Sequence, residues 1–111
     1  KGAAGQEQKE PLAEIIEKIN QRYKGQFTAG DRVLLTALHS KLLSNKKLRN
    51  MAKSSDPQIF TESIFPAVFN NVAMESYVES QDTYTALFED KNKYNSVMSA
   101  LAEILYREMR A

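Results

Sequence analysis

A chain of 111 residues with 42% hydrophobic and 26% charged residues has the length of one domain with its own core, and its lack of cysteine excludes a disulfide-stapled fold. A formal charge of +1 excludes polyanion binding through bulk charge, and apolar runs of only a few residues exclude a membrane-spanning helix. With no charged, apolar, small-residue leader either, a cytoplasmic location and no membrane partner are the expectations.

Residues 1–9 show no apolar periodicity and read as a linker or cloning remnant. Since the chain opens on Lys1 and not Met, a single helical domain over 10–111, cut from a longer protein, is expected. The first helix is predicted over 11–23, with Pro11 in its first turn and Leu12, Ile15, Ile16, Ile19 and Tyr23 on one stripe. Gly25 supplies a left-handed cap, and Phe27 is expected to tuck back onto the core. Thr28 and Asp31 form a capping-box variant that opens a second helix, whose buried face is Leu34, Leu35, Leu38 and Leu42. Ser44 or Asn45 caps a short third helix over 46–53, anchored by Leu48 and Met51.

The stretch from Asp56 to Asp90 has the densest apolar pattern, with Ile59, Phe60, Ile64, Phe65, Val68, Phe69, Val72, Tyr77, Tyr84, Leu87 and Phe88. It therefore reads as the partner shared by the other stripes. Asp56 and Pro57 are a helix start, whereas Pro66 inside a helix would remove a hydrogen bond and crowd the carbonyl of Glu62 at a cost of about 3 kcal/mol. A short helix over 57–63, a corner, and a new helix from Pro66 are predicted. That helix runs to about 89 or breaks near Ser80–Asp82. Asp90 caps the last helix, whose stripe is Tyr94, Val97, Met98, Leu101, Ile104, Leu105 and Met109. No run alternates with period two. The predicted fold class is all-α: a compact bundle of about five to six helices with a Pro-induced corner near residue 66.

Fragments of catalytic motifs do not assemble into sites. Gly25 and Gly30 have phosphate-loop spacing, but Asp31 and Arg32 follow where Lys and Ser or Thr are needed, so a helix–helix turn is the better reading. Glu89-Asp90-Lys91 resembles half of a metal-dependent nuclease pattern without the strand and further acid such a site needs. His39, the one histidine, reads as a half-exposed structural residue at the edge of the second helix's stripe. No catalytic residue, cofactor or metal ligand is expected.

Charge is segregated. Residues 32–53 carry Arg32, Lys41, Lys46, Lys47, Arg49 and Lys53 with no acid, and residues 54–90 carry seven acids with no base. Lys41, Lys46, Lys47, Arg49 and Lys53 are the candidate interaction surface. The run has three readings: a solvated helix face, a surface complementary to acids of this or another chain, and a nucleic-acid contact.

The stretch from Glu10 to Tyr23, with its Leu-x-Glu-Ile-Ile-Glu-Lys order, followed by Gly25, Phe27-Thr28 and Asp31-Arg32, resembles the carboxy-terminal helical region of the R subunit of type I restriction enzymes. The similarity extends over about 10–110: a short basic helix, a Phe-rich stretch, and a closing helix. Where that family often has an Ile-Asp-Arg-Met run, this chain has Val72-Ala-Met-Glu-Ser-Tyr77. The resemblance implies a non-catalytic assembly domain. It would dock an ATP-dependent DNA translocase and endonuclease onto a methyltransferase core of modification and specificity subunits. ATP and Mg would then belong to other domains of the parent chain, and DNA would be met through the parent complex. The alternative is a helical nucleic-acid-binding module using the basic run 41–53.

Overall fold

The computed structural model describes residues 11–23 and 28–111. Gly25, Phe27 and residues 1–9, on which some sequence expectations fall, lie outside the described residues. The described residues form six helices and no strand. These are α1 (Pro11–Arg22), α2 (Ala29–Leu43), α3 (Lys46–Ser54), α4 (Pro57–Ile59, Phe60–Ile64 and Phe65–Glu79, continuous over 57–79), α5 (Gln81–Glu89) and α6 (Lys91–Arg110). The all-α bundle expected from helical periodicity is thus the fold.

Local chemistry sets the helix starts. At α2, the Thr28 side chain accepts from the Asp31 N–H while the Asp31 carboxylate accepts from the Thr28 N–H, so two donors without helical partners are satisfied. Of the two candidate caps for α3, Asn45 takes the role and accepts from the Leu48 N–H. Asp56 and Asp90 cap α4 and α6 by accepting from Ile59 and Lys93.

The expected end of a helix and corner near residue 66 takes a different form. The chain stays helical through Pro66, and Phe60–Ile64 is a π-helical segment in which the Phe65 N–H donates to the Phe60 carbonyl, five residues back. A widened turn just ahead of a proline relieves the clash that a regular α-helix would suffer, so the proline is absorbed. Of the two alternatives for the helix after Pro66, the break near Ser80–Asp82 is the one found: at Ser80 φ −145° and ψ 71° leave the helical region and separate α4 from α5. Glu79, Ser80, Gln81 and Asp82 are all exposed, so no apolar contact opposes a break there, and the turn brings Tyr84 and Leu87 into the core.

The organising element also differs from expectation. α6, and not the 56–90 stretch, packs on each of the other five helices. Its Val97, Leu101, Ile104 and Leu105 are buried against Ile15 and Ile19 of α1, Leu34, Leu35, Leu38 and Leu42 of α2, and Phe60, Phe65 and Phe69 of α4. Each such side chain contributes about 1.5–3 kcal/mol when fully buried. No helix among the described residues is long and apolar enough to cross a membrane.

Candidate interaction surface

The five basic residues singled out above are not one surface. Lys41 sits at the end of α2 and donates from Nζ to Ser76 Oγ at 2.9 Å and Glu79 Oε1 at 3.2 Å, so it ties α2 to α4. Arg49 turns back and donates to the Leu43 carbonyl at 2.8 Å, a cation at the C-terminal end of α2. Lys46, Lys47 and Lys53 are exposed on α3 and have no ion-pair partner among the described residues. Arg32, the sixth base of the run, is exposed on α2.

α3 is a fixed platform for those three lysines. Leu48 and Ala52 are fully buried beneath it. At its far end Arg110 Nη1 donates to the Ala52 and Lys53 carbonyls at 2.9 and 3.2 Å, and the Tyr106 hydroxyl donates to the Ser55 carbonyl at 2.7 Å. The guanidinium also lies 5.2 Å from the Tyr106 ring centroid. Arg110 and Tyr106 therefore position the basic helix from α6. Nothing in their spacing announced it, because they sit fifty and more residues away.

Beside this platform an open groove of about 460 Å³ runs between α3 and α4. Met51, Ile64, Ala67, Val68 and Val72 are its apolar lining and Asn45, Ser63 and Asn71 its neutral polar lining, with Lys47 on the α3 side and Glu75 on the α4 side. Ile64, Val68 and Val72 belong to the dense apolar pattern of the sequence, but they are only half buried. The available signal was width: apolar residues in 64–78 occupy more than one face of a helix. A second cleft of about 620 Å³ lies between α1, the start of α4 and α6. Its wall includes Glu103, which accepts from both Lys18 and Arg22. Burial pushes the Glu103 carboxyl up, but the Arg22 and Lys18 contacts outweigh it and hold the carboxyl below the usual range.

The ionisable groups that are buried or part-buried hold helices together. Asp31 accepts from Lys93 Nζ at 2.9 Å, and both side chains are buried. Burial raises the Asp31 carboxyl, yet the hydrogen bonds from Lys93 and Thr28 and the lysine charge together keep it below the ordinary value. The Tyr23 hydroxyl donates to Asp90 Oδ2 at 2.6 Å, which raises the phenol and lowers the carboxyl. Lys93 Nζ lies 5.6 Å from the Tyr23 ring centroid. The end of α1 and the starts of α2 and α6 thus share one polar tie. His39 is more enclosed than the half-exposed position expected of it, its side chain only 17% exposed, with Nε2 2.8 Å from Glu108 Oε1 across α2 and α6. Among the described residues no group of three or more His, Asp or Glu could hold a metal ion.

Comparison of the chain with family models, curated proteins and solved structures returned no match.

Proposed function

We propose that this domain is a non-catalytic assembly module that docks the motor subunit of a type I restriction enzyme onto its methyltransferase core. The reading joins the sequence resemblance to one observation, the construction of α3. Leu48 and Ala52 are buried beneath it, both its ends are pinned, and Lys46, Lys47 and Lys53 are exposed on it, with Lys47 on the rim of the groove. A fixed charged helix beside an apolar groove suits recognition of a protein surface, where burial supplies affinity and charge supplies orientation and on-rate. The buried Asp31–Lys93 pair and His39 serve helix–helix ties, which also favours a structural role. ATP, Mg and direct DNA contacts belong, on this reading, to other domains of the parent chain.

The competing reading is a nucleic-acid module. Two of the six bases in the run, Lys41 and Arg49, are engaged within the chain. Three free cations on α3 would give a salt slope of only about −3 for duplex DNA. Paired titrations separate the two. The domain and its Lys46→Glu/Lys47→Glu/Lys53→Glu variant are titrated with duplex DNA across a salt series and with the methyltransferase core at fixed salt. The docking reading expects weak, non-specific DNA binding and slower association of the variant with the core. Submicromolar DNA binding lost in the variant, with core binding unchanged, gives the function to nucleic acid. The upstream coding sequence is an independent check: a Walker lysine motif and helicase motifs ahead of Lys1 are expected.

A further inference from the structure

We propose that the groove between α3 and α4 is the docking site itself, and that its occupant is an amphipathic helix whose apolar stripe is flanked by acidic residues on the edge facing α3. This deepens the assembly reading and rests on it only for the identity of the protein that carries the helix.

Three observations lead there. The segment Phe65–Glu79 has Glu75 and Glu79 as its only charges, and its apolar residues fall on two faces. Phe65, Phe69 and Ala73 point into the core and are fully buried. On the outer side Ile64, Ala67, Val68 and Val72 line the groove, and Met74 and Val78 beyond them are 48% and 72% exposed. A surface helix normally has one apolar stripe, so the second marks an unfilled contact.

The shape selects a helix. From Ile64 to Glu75 the wall spans twelve residues, about 16 Å at helical rise, or three turns of a partner. Two helices side by side present a furrow into which a third packs through residues at i, i+3, i+4 and i+7. Met51 on the opposite wall is a flexible side chain suited to such a seat.

The charge selects its flank. The α3 rim carries Lys47, with Lys46 and Lys53 on the same helix, and none is neutralised among the described residues. The α4 rim carries the single acid Glu75. An occupant with acids toward α3 and a base toward Glu75 pairs along both rims, and the reversed occupant repels along both.

The test uses designed eighteen-residue helical peptides with one Leu stripe. One carries Glu along the α3-facing edge and the other carries Lys there, and binding to the domain is measured by fluorescence anisotropy. The Glu-edged peptide should bind about fivefold more tightly, an exposed ion pair with Lys47 set against a like-charge contact there. Val68→Glu, at a half-exposed position, should abolish binding while leaving the circular dichroism spectrum unchanged. The surface variant Lys46→Glu/Lys47→Glu should invert the preference toward the Lys-edged peptide. Equal binding of both peptides, no inversion, or binding untouched by Val68→Glu overturns the proposal. A concentration-dependent dimer that Val68→Glu dissolves also overturns it, because the groove then belongs to a second copy of this chain. Peptide binding without any binding to a methyltransferase core keeps the groove and removes the restriction-enzyme reading. Core binding insensitive to Val68→Glu does the reverse.

Discussion

α4 and α6 are the two longest helical stretches among the described residues, and they treat their outer faces in different ways. On α6 the side chains beyond the apolar stripe reach other helices. Lys93 pairs with Asp31, Glu103 with Lys18 and Arg22, Arg107 with Glu14, Glu108 with His39, and Arg110 bonds the end of α3. On α4 the capping Asp56 is taken up locally, and of Glu62, Glu75 and Glu79 only Glu79 has an ion-pair partner among the described residues. The inner faces meet through a run of rings, with Phe88 of α5 inserted: Tyr106, Phe60, Phe65, Phe69, Tyr94, Phe88 and Tyr77 follow one another at centroid distances of 5.0 to 5.7 Å. Outside that shared seam most charged side chains of α6 reach other helices of the chain, whereas α4 has an outer face that is largely uncovered. Similar length therefore does not mean similar work. The helix with many charged ties holds the others together, and the one with few charges has a second apolar face that its own chain does not cover.

The seam is where the comparison is easiest to break. Phe69 is fully buried between Phe65 and Tyr94. Phe69→Ala should cost about 3–5 kcal/mol, the usual range for emptying a packed aromatic site. Whole-domain stability is of the order of 5–15 kcal/mol, so the denaturation midpoint should fall steeply or the fold be lost. A midpoint within a few degrees of the parent would mean that the two helices are not joined through this ring.

The polar side of α6 comes next. Lys93→Met removes one partner of a buried pair and leaves Asp31 without its cation, at a cost of about 3 kcal/mol. The same pair predicts a pH dependence. Asp31 titrates below its ordinary value in the folded chain, and an unfolded aspartate titrates near about 3.9. The unfolded state then binds the proton more readily, so the contribution of Asp31 is complete above about pH 4 and is lost as pH falls through the folded value. Stability curves from pH 7 to pH 2 should show the gap between the parent and Asp31→Asn closing below about pH 4. A gap that does not change with pH would assign the effect of Asp31 to geometry alone.

These ties also show how far the sequence could be read. Period and caps were legible because they are local: Thr28 with Asp31, Asn45, Asp56 and Asp90 each act within three or four residues. The stripes of α2 and α6 were legible for the same reason. Partners across the chain were not. The Asp31–Lys93 pair spans 62 residues and the Tyr23–Asp90 bond 67, and no spacing rule connects them. In the candidate surface, the basic run was visible as charge, but whether each base is free depends on tertiary neighbours. Lys41 and Arg49 find theirs and drop out of the patch. The groove was hidden for a different reason: periodicity reports that Val68 and Val72 are apolar but not whether a neighbour covers them.

Pro66 gives a smaller test of the same helix. If the π-helical turn over Phe60–Ile64 has already relieved the proline, Pro66→Ala should change stability by less than about 1 kcal/mol. A proline forced into regular α-helix costs about 3 kcal/mol, so a gain of that size would show a strained, unrelieved kink. Equilibrium urea unfolding separates the two values.

The smallest expected effect sharpens the contrast most. Met74 is 48% exposed on the outer face of α4 and stands on the apolar stripe that continues to Val78. If that face meets only water in the isolated domain, Met74→Glu should shift stability by no more than about 0.5 kcal/mol, as surface substitutions usually do. The same change on the inner face would bury a charge and unfold the chain. Two measurements are needed together: urea unfolding at low concentration, and sedimentation equilibrium across a concentration range. Neutral stability and an unchanged monomer would keep α4 as a helix with one face for its own core and one for another protein. A loss of about 2 kcal/mol or more that grows with protein concentration would mean that copies of the chain already cover each other there, since coupling to association makes apparent stability depend on concentration. A loss of that size at every concentration would place Met74 in the core of the monomer, and α4 would then be another inward-turned helix like α6.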